Sequence, residues 1–475
     1  MYKSVLLFIV TISLFVNSAA FSANLYVDPA TGSDSNTYAQ VAAGTHKWAT
    51  IQRAAWGSTT YASPNTSEAA QEGDTVFIAA GTYSTTGATS CDRWAVSLNP
   101  ANSGSSGSPI TFRGVGTVEI RHAAGAYGPV IGADNRNYIV WDNIYLDDDY
   151  LNTCSDTGAV VFHVSVGSQI INSRIKGSTP PPFTDNYNLI RAEETSGIQI
   201  RNNELWNAGY GSGENEAAIM TYDSDGILIE HNYIHDNAQG IYIKGEHGGG
   251  YTNQDAIIRF NKFAKHNYCD IETIYAPGTQ IYQNLFLVEE TALMFKPAAG
   301  TGTDYAIVNN TFISSDSWTR LTYYSSETPN FSNFRMYNNI FYGFTTDGGH
   351  YHAYSSIGTQ SYEHNLYSDA TKVLSFNEGG TFSNLETFKS TYSQESASPA
   401  GTSGDPLFVN TTYYKLQAGS PAKNLGVDIL NLAGGGVSGI VDAGAYITGN
   451  ETIGIETSTS ARKLNNVTGV RVTLH

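Results

Sequence analysis

Between residues 143 and 365 one phrase of polar and apolar positions returns nine times: a polar residue, one variable residue, then a bulky apolar one. The polar members are Asn143, Ser173, Asn203, Asn232, Asn261, Asn284, Asn310, Asn339 and Asn365. Their apolar partners are Tyr145, Ile175, Leu205, Ile234, Phe263, Phe286, Phe312, Phe341 and Tyr367. Successive polar members stand 30, 30, 29, 29, 23, 26, 29 and 26 residues apart. A repeat of that length without helical periodicity predicts stacked coils, each unable to bury its apolar face alone. An Asn at one turn of every coil lets each side-chain amide bond the next, satisfying groups otherwise buried unpaired.

The flanks read differently. Residues 24–110 are expected to form an N-terminal cap and the first coils. Leu25-Tyr26-Val27 is a short strand, and Trp48, Ile51, Ala54 and Ala55 fall at helical spacing. A helix laid across the open end would cover edges that otherwise pair with another molecule. Residues 111–400 are the predicted core, 401–447 C-terminal capping strands, and the Thr-rich stretch 448–475 a loose polar tail. Residues 1–23 read as a secretory signal: Lys3, an apolar stretch over 5–16, and the small residues Ser18-Ala19-Ala20. That stretch is too short to span a bilayer, so the expected product is exported (extracellular or periplasmic), monomeric and without a membrane partner.

Composition narrows the partners. Gly 47, Tyr 31 and Phe 20 with only 14% charged residues form an all-β profile. A net charge of −18 excludes the basic stripe that nucleic acid needs. It is also awkward for a polyanionic substrate, which would require a locally basic groove. Three cysteines, Cys91, Cys154 and Cys269, allow one disulfide; Cys91 with Cys154 is the expected pair, the alternative being three buried thiols. No spacing of Cys or His suggests zinc or a cluster.

The N-terminal segments Tyr26-Val27-Asp28-Pro29, Gly32-Ser33-Asp34, Trp48-Ala49-Thr50-Ile51-Gln52 and Gly73-Asp74-Thr75-Val76, with the later Gly81-Thr82-Tyr83, resemble secreted right-handed parallel β-helix proteins of the pectate-lyase-like superfamily. The C-terminal segments Gly404-Asp405-Pro406-Leu407-Phe408, Gly419-Ser420-Pro421-Ala422 and Asp442-Ala443-Gly444-Ala445-Tyr446 resemble them too, so the likeness covers roughly residues 24–447. It implies an all-β, single-stranded parallel β-helix with an N-terminal capping helix. Each coil would then carry three strands, with the Asn column at the turn between the second and third. The superfamily holds lyases, hydrolases, epimerases and adhesins, so fold alone does not choose a reaction.

Resemblance to the polysaccharide lyases puts the substrate groove on the outer face of the first strands, where alternation separates core from groove. In Gly240-Ile241-Tyr242-Ile243-Lys244 the isoleucines point inward, leaving Tyr242, Lys244 and then Glu246 outward. The same rule sends His163, Arg191, Glu193, Tyr222, Glu272 and Lys296 outward. The expected result is one vertical stripe of His163, Arg191, Tyr222, Lys244, Glu272 and Lys296. Each residue also has a plainer role: Lys244 as a solvated lysine, Tyr222 as a stacking ring, Arg191 as a partner for Glu193 or Glu246.

Three functions compete. The leading one is a polysaccharide lyase cleaving a uronate-containing, alginate-like glycan by β-elimination, which needs a base, an acid for the departing O4 and a cation for the carboxylate. Lys244 is the candidate base, Tyr222 the acid or partner base, and Arg191 the neutraliser with His163 assisting. The arrangement is similar to alginate lyases and chondroitinase B. Glu193, Tyr242, Glu246, Glu272 and Lys296 would bind substrate. Lys at its reference value of about 10.4 is a poor base at neutral pH; Arg191 would lower it and Glu246 raise it. Chondroitinase-like lyases place two carboxylates before the catalytic lysine to hold calcium, and residues 237–243 carry none. A metal-free mechanism is therefore preferred, with Asp223 and Asp225 the alternative calcium ligands. The second function is a glycoside hydrolase using paired carboxylates among Glu193, Asp223, Glu246 and Glu272. The third is a non-catalytic carbohydrate-binding protein.

Overall fold

The computed structural model describes residues 22–151, 153–178, 186–209, 215–245, 255–296, 302–314, 320–324, 331–344, 351–353, 360–371, 373–376, 382–434, 436 and 439–455. The signal sequence and residues 456–475 lie outside them, as does Glu246.

Each strand of the core pairs in parallel with the strand one coil before it and the strand one coil after it. Three parallel sheets result, and the chain is a parallel β-helix. The first sheet stacks Ile131–Asp134, Thr157–His163, Tyr187–Glu193, Ala217–Tyr222, the ends of Tyr233–Lys244 and Lys262–Ile274, then Thr291–Lys296 and Arg320–Tyr324. Its inward positions Ile190, Ile219, Ile241, Ile271 and Leu293 share one register and are fully buried. Each such side chain contributes about 1.5–3 kcal/mol on burial. On the third sheet, Phe263, Phe286, Phe312 and Phe341 stack with centroids 4.7, 4.5 and 5.4 Å apart. The two-residue alternation thus fixes which atoms form the core, and the coil repeat stacks like on like.

The Asn column forms the predicted ladder. Asn232 Oδ1 accepts from the backbone N–H and side-chain amide of Asn203 at 2.9 and 3.1 Å. The same pair of bonds joins Asn232 to Asn261, and the chain of bonds continues through Asn284, Asn310 and Asn339 to Asn365. At its start the ladder corrects the sequence reading. Ile144, not Asn143, is in register with Ser173, whose Oγ accepts from the Ile144 N–H. Asn143 belongs to the preceding column, with residues 172, 202, 231, 260, 283, 309, 338 and 364, all at φ between 52° and 63°. Asn tolerates that left-handed conformation better than other side chains. Two adjacent columns therefore favour Asn for different reasons.

Both ends are closed. At the N-terminus α2 (Ile51–Trp56), preceded by α1 (Tyr38–Ala42), buries all six of its residues. Thr50 caps its first turn and Gly57 ends it at φ 71°. At the C-terminus α3 (Leu385–Tyr392) lays Phe388 against Tyr362 at 5.6 Å. Glu395 then ends the ladder, accepting from the Asn365 amide at 2.5 Å and from Tyr367 Oη at 2.6 Å. Residues 448–455, read as the start of a loose tail, pack back along the coils. Gly454 N donates to Phe260 O at 2.7 Å, and Ile453 is buried with Leu285, Ile313 and Tyr446. The expected disulfide joins Cys91 to Cys154; Cys269 is buried. Among the described residues no helix is long and apolar enough to cross a membrane.

Candidate functional site

Register on the first sheet splits the predicted stripe into two columns. One runs Asp134, His163, Glu193, Tyr222, Lys244, Ile274, Lys296. The other lies two residues upstream on each strand and runs Arg191, Met220, Tyr242, Glu272, Met294. A single stripe was expected because alternation gives the face of a side chain and not its height along the strand.

Tyr222 and Lys244 meet. Lys244 Nζ donates to Tyr222 Oη at 2.9 Å and to Asn215 Oδ1 at 2.7 Å. The ammonium also lies 4.9 Å from the Tyr222 ring centroid and 4.5 Å from that of Tyr242. Ala217, Met220 and Tyr242 form a small apolar cluster beneath the pair, with Tyr222 and Ile274 packed on it. Burial there pushes the Tyr222 phenol above its ordinary range; the Arg191 charge opposes that shift, while Asp156 and Glu193 reinforce it. At neutral pH Tyr222 is therefore a protonated phenol, suited to giving a proton. Asn215 was not anticipated, since it sits on the loop leading into the strand.

Arg191 does not fill the role expected of it. Its side chain is 2% exposed. Nε and Nη2 donate to Glu193 Oε2 at 3.0 and 2.8 Å, and Nη1 pairs with Asp156 Oδ1 at 3.1 Å. The guanidinium stacks on the Tyr222 ring at 4.5 Å. With both edges committed to carboxylates, it holds Tyr222 in place and is not offered to a substrate carboxylate. Glu193, 4% exposed, is committed in turn.

Tyr242 and Glu272, expected to bind substrate, are 3% and 0% exposed. Gln239 Nε2 donates to Glu272 Oε2 at 2.8 Å. Burial raises the Tyr242 phenol well above its ordinary range, and its hydrogen bond to Glu272 adds to this. These two residues form the floor of the site. Lys296 ends its strand in the Lys244 column, two strands on.

His163 is also bonded within the protein. Its Nδ1 lies 2.7 Å from Asp134 Oδ1, and Trp94 stacks on its ring at 3.8 Å. Trp94 comes from a loop pinned by the Cys91–Cys154 disulfide and the Arg93–Asp156 ion pair. Asp156 thus holds that loop and Arg191 together. Neither Trp94 nor Asp156 carried a sequence signal, because loops from other coils bring them in. Asp223 follows Tyr222 at φ 46°, and burial raises the Asp225 carboxyl, with Asp255 adding to the shift. Among the described residues no three His, Cys, Asp or Glu side chains converge as a metal site.

No protein-family model and no curated protein matches the chain. Similar solved structures include XylC with xylose, at 13% identity and TM-score 0.44, covering 72% of this chain and 83% of that one. Pectate lyase Pel9A is similar at 13% identity and TM-score 0.41, covering 90% and 96%. The PL6 family alginate lyase AlyGC is similar at 14% identity and TM-score 0.38, covering 66% of this chain and 51%, about half, of AlyGC. Such identities carry neither substrate nor reaction to this chain. By its own strand pairing it is a parallel β-helix protein with a Lys–Tyr pair on the outer face of its first sheet.

Proposed function

We propose that this protein is a polysaccharide lyase cleaving a uronate-containing glycan by β-elimination at Lys244 and Tyr222. The observation that carries the reading is the 2.9 Å contact between Lys244 Nζ and Tyr222 Oη. Elimination removes the proton on the carbon beside the carboxylate and breaks the bond to O4 on the adjacent carbon. A base and an acid in mutual contact can reach both atoms from one side of the ring. Lys244, in its neutral form, takes the proton, and Tyr222 protonates the departing oxygen. The apolar cluster of Ala217, Met220 and Tyr242 beneath the pair strengthens each electrostatic contact by excluding water. Arg191 acts through Tyr222 as a positioning residue.

A hydrolase reading has less support. Of its candidate carboxylates, Glu193 is tied to Arg191 and Glu272 is closed from solvent. Neither is in a position to protonate a leaving group or activate water. The test is direct. Alginate, pectic and glycosaminoglycan substrates are incubated with the purified protein and followed by ultraviolet absorbance. A lyase yields an unsaturated uronate that absorbs, a hydrolase yields reducing ends without absorbance, and a binding protein yields neither.

A further inference from the structure

A concavity lies on the same face, toward the N-terminal cap. It is a cleft of about 190 Å³ lined by Trp56, Tyr61, Trp94, Asn99, Asp134 and Arg136, among others. None of these residues belongs to the Lys244 centre, yet Asp134 begins its column and Trp94 packs on the next member. Asp134 bonds His163, and Trp94 stacks on it.

The lining mixes aromatic surface with a few fixed polar groups, which is what holds a sugar ring: apolar faces against C–H patches, hydrogen bonds at the hydroxyls. Tyr61 meets Trp56 edge-on at 5.8 Å. Asn99 is locked by two 3.0 Å bonds to the Asp134 backbone. Asp134 is bonded through Oδ1 alone among the described residues, which leaves Oδ2 as an acceptor for a hydroxyl.

Charge decides which sugar. The Arg136 guanidinium is held by backbone carbonyls, with Nε on Pro100 O and Ala101 O and Nη1 on Asn135 O. Arg93, beside Trp94, is paired with Asp156. The groups acting on Tyr61 besides burial are the carboxylates of Asp92 and Asp134. A uronate would enter beside two carboxylates and only one uncompensated cation, Arg136, whose guanidinium is turned onto backbone carbonyls. A neutral ring meets no such penalty.

The geometry points to this cleft as a saccharide-binding site for a neutral pyranose ring. Asp134 stands four strands from Lys244 in the same column, about 19 Å at the usual strand spacing. That is the length of a few sugar rings, so one chain can occupy both places. Resting on the lyase reading of Lys244, the inference narrows the substrate to a heteropolysaccharide in which neutral sugars accompany uronates.

The experiment is saturation-transfer difference NMR with the methyl pyranosides of glucose, galactose, mannose and xylose, and with methyl glucuronide, on the whole chain. At least one neutral glycoside is expected to bind, with Tyr61→Ala and Trp94→Ala each weakening it at least tenfold and Tyr61→Phe retaining it. Methyl glucuronide is expected to bind the cleft at least tenfold more weakly. Lys244→Ala should leave the neutral signal unchanged, which separates this site from the proposed catalytic one. If no glycan yields an absorbing product yet the neutral signal behaves as stated, the lyase reading falls and the cleft stands. The proposal is overturned if no neutral glycoside binds, if both alanine variants bind as the wild type does while remaining folded by circular dichroism, or if the glucuronide binds equally well with a signal that Tyr61→Ala and Trp94→Ala remove.

Discussion

Lys244 Nζ stands 2.9 Å from Tyr222 Oη, although the two residues are 22 positions apart in sequence. They meet because one coil of the solenoid separates them and the register pairs Tyr222 directly with Lys244. Such a contact repays testing residue by residue.

Replacing the lysine separates chemistry from fold. Its ammonium contacts Tyr222, Asn215 and two rings, but the strand is held by its backbone ladder and by Ile241 and Ile243. Lys244→Ala should therefore reduce formation of absorbing product by about 10²–10⁴-fold. The thermal midpoint should move little. Retention of full turnover in this variant would remove Lys244 from the mechanism.

Tyr222→Phe keeps the ring that Arg191 and Lys244 stack against and deletes only the hydroxyl. A loss of about 10²-fold in kcat with KM nearly unchanged is expected if the phenol serves as the acid. Because burial raises its pKa above 10, the proton stays on at neutral pH. Wild-type activity should decline only as pH rises through that raised value, and the residual activity of the variant should lack that decline. A stacking ring alone would leave kcat intact.

Arg191 should matter to stability more than a surface arginine would. Removing it leaves Glu193, 4% exposed, without its counter-charge. Breaking a buried pair by truncating one partner costs about 3–5 kcal/mol. In urea titrations Arg191→Ala should lose that much, and the double variant Arg191→Met, Glu193→Leu should recover most of it. A loss of activity without loss of stability would restore Arg191 to contact with substrate.

How much of this was legible depended on what repeats. The coil period, the Asn ladder and the inward isoleucines recur in every turn, so a single sequence displays them several times over. Asn143 misled because its column selects Asn for backbone conformation, and the neighbouring one selects it for hydrogen bonding. Lys244 and Tyr222 were found by alternation alone. Their height relative to Arg191 and Glu272 was not, because a two-residue alternation does not say which outward position of one strand pairs with which of the next. Asp156, Trp94 and Asn215 occur once each, on loops, and their positions depend on contacts between distant segments.

The ladder also predicts a stability effect away from the site. Asn261 Oδ1 accepts two bonds from Asn232, at 2.9 and 3.0 Å, inside a core closed to water. Asn261→Ala leaves both donors without that acceptor and should cost about 3 kcal/mol. A loss below about 0.5 kcal/mol, the range of ordinary surface changes, would mean that the ladder bonds contribute nothing net.

Where the ladder ends, stability should respond to pH. Glu395 accepts from the Asn365 N–H and amide and from Tyr367 Oη. Burial pushes its carboxyl up to about 7, against the pull of those bonds. In the unfolded chain a glutamic acid titrates at about 4.3. Between these values the folded protein holds a proton that the unfolded chain has released. The resulting stabilisation is complete below the lower value and disappears as pH rises through the upper one, a change of about 4 kcal/mol. Asp148, raised to about 6 by burial, adds a slope of the same sign, so the informative quantity is wild type against Glu395→Gln. Measured by urea unfolding at pH 4.5 and pH 8, the wild type should lose more stability with rising pH than the variant. Equal losses in the two proteins would show that the carboxyl closing the ladder does not titrate in this range.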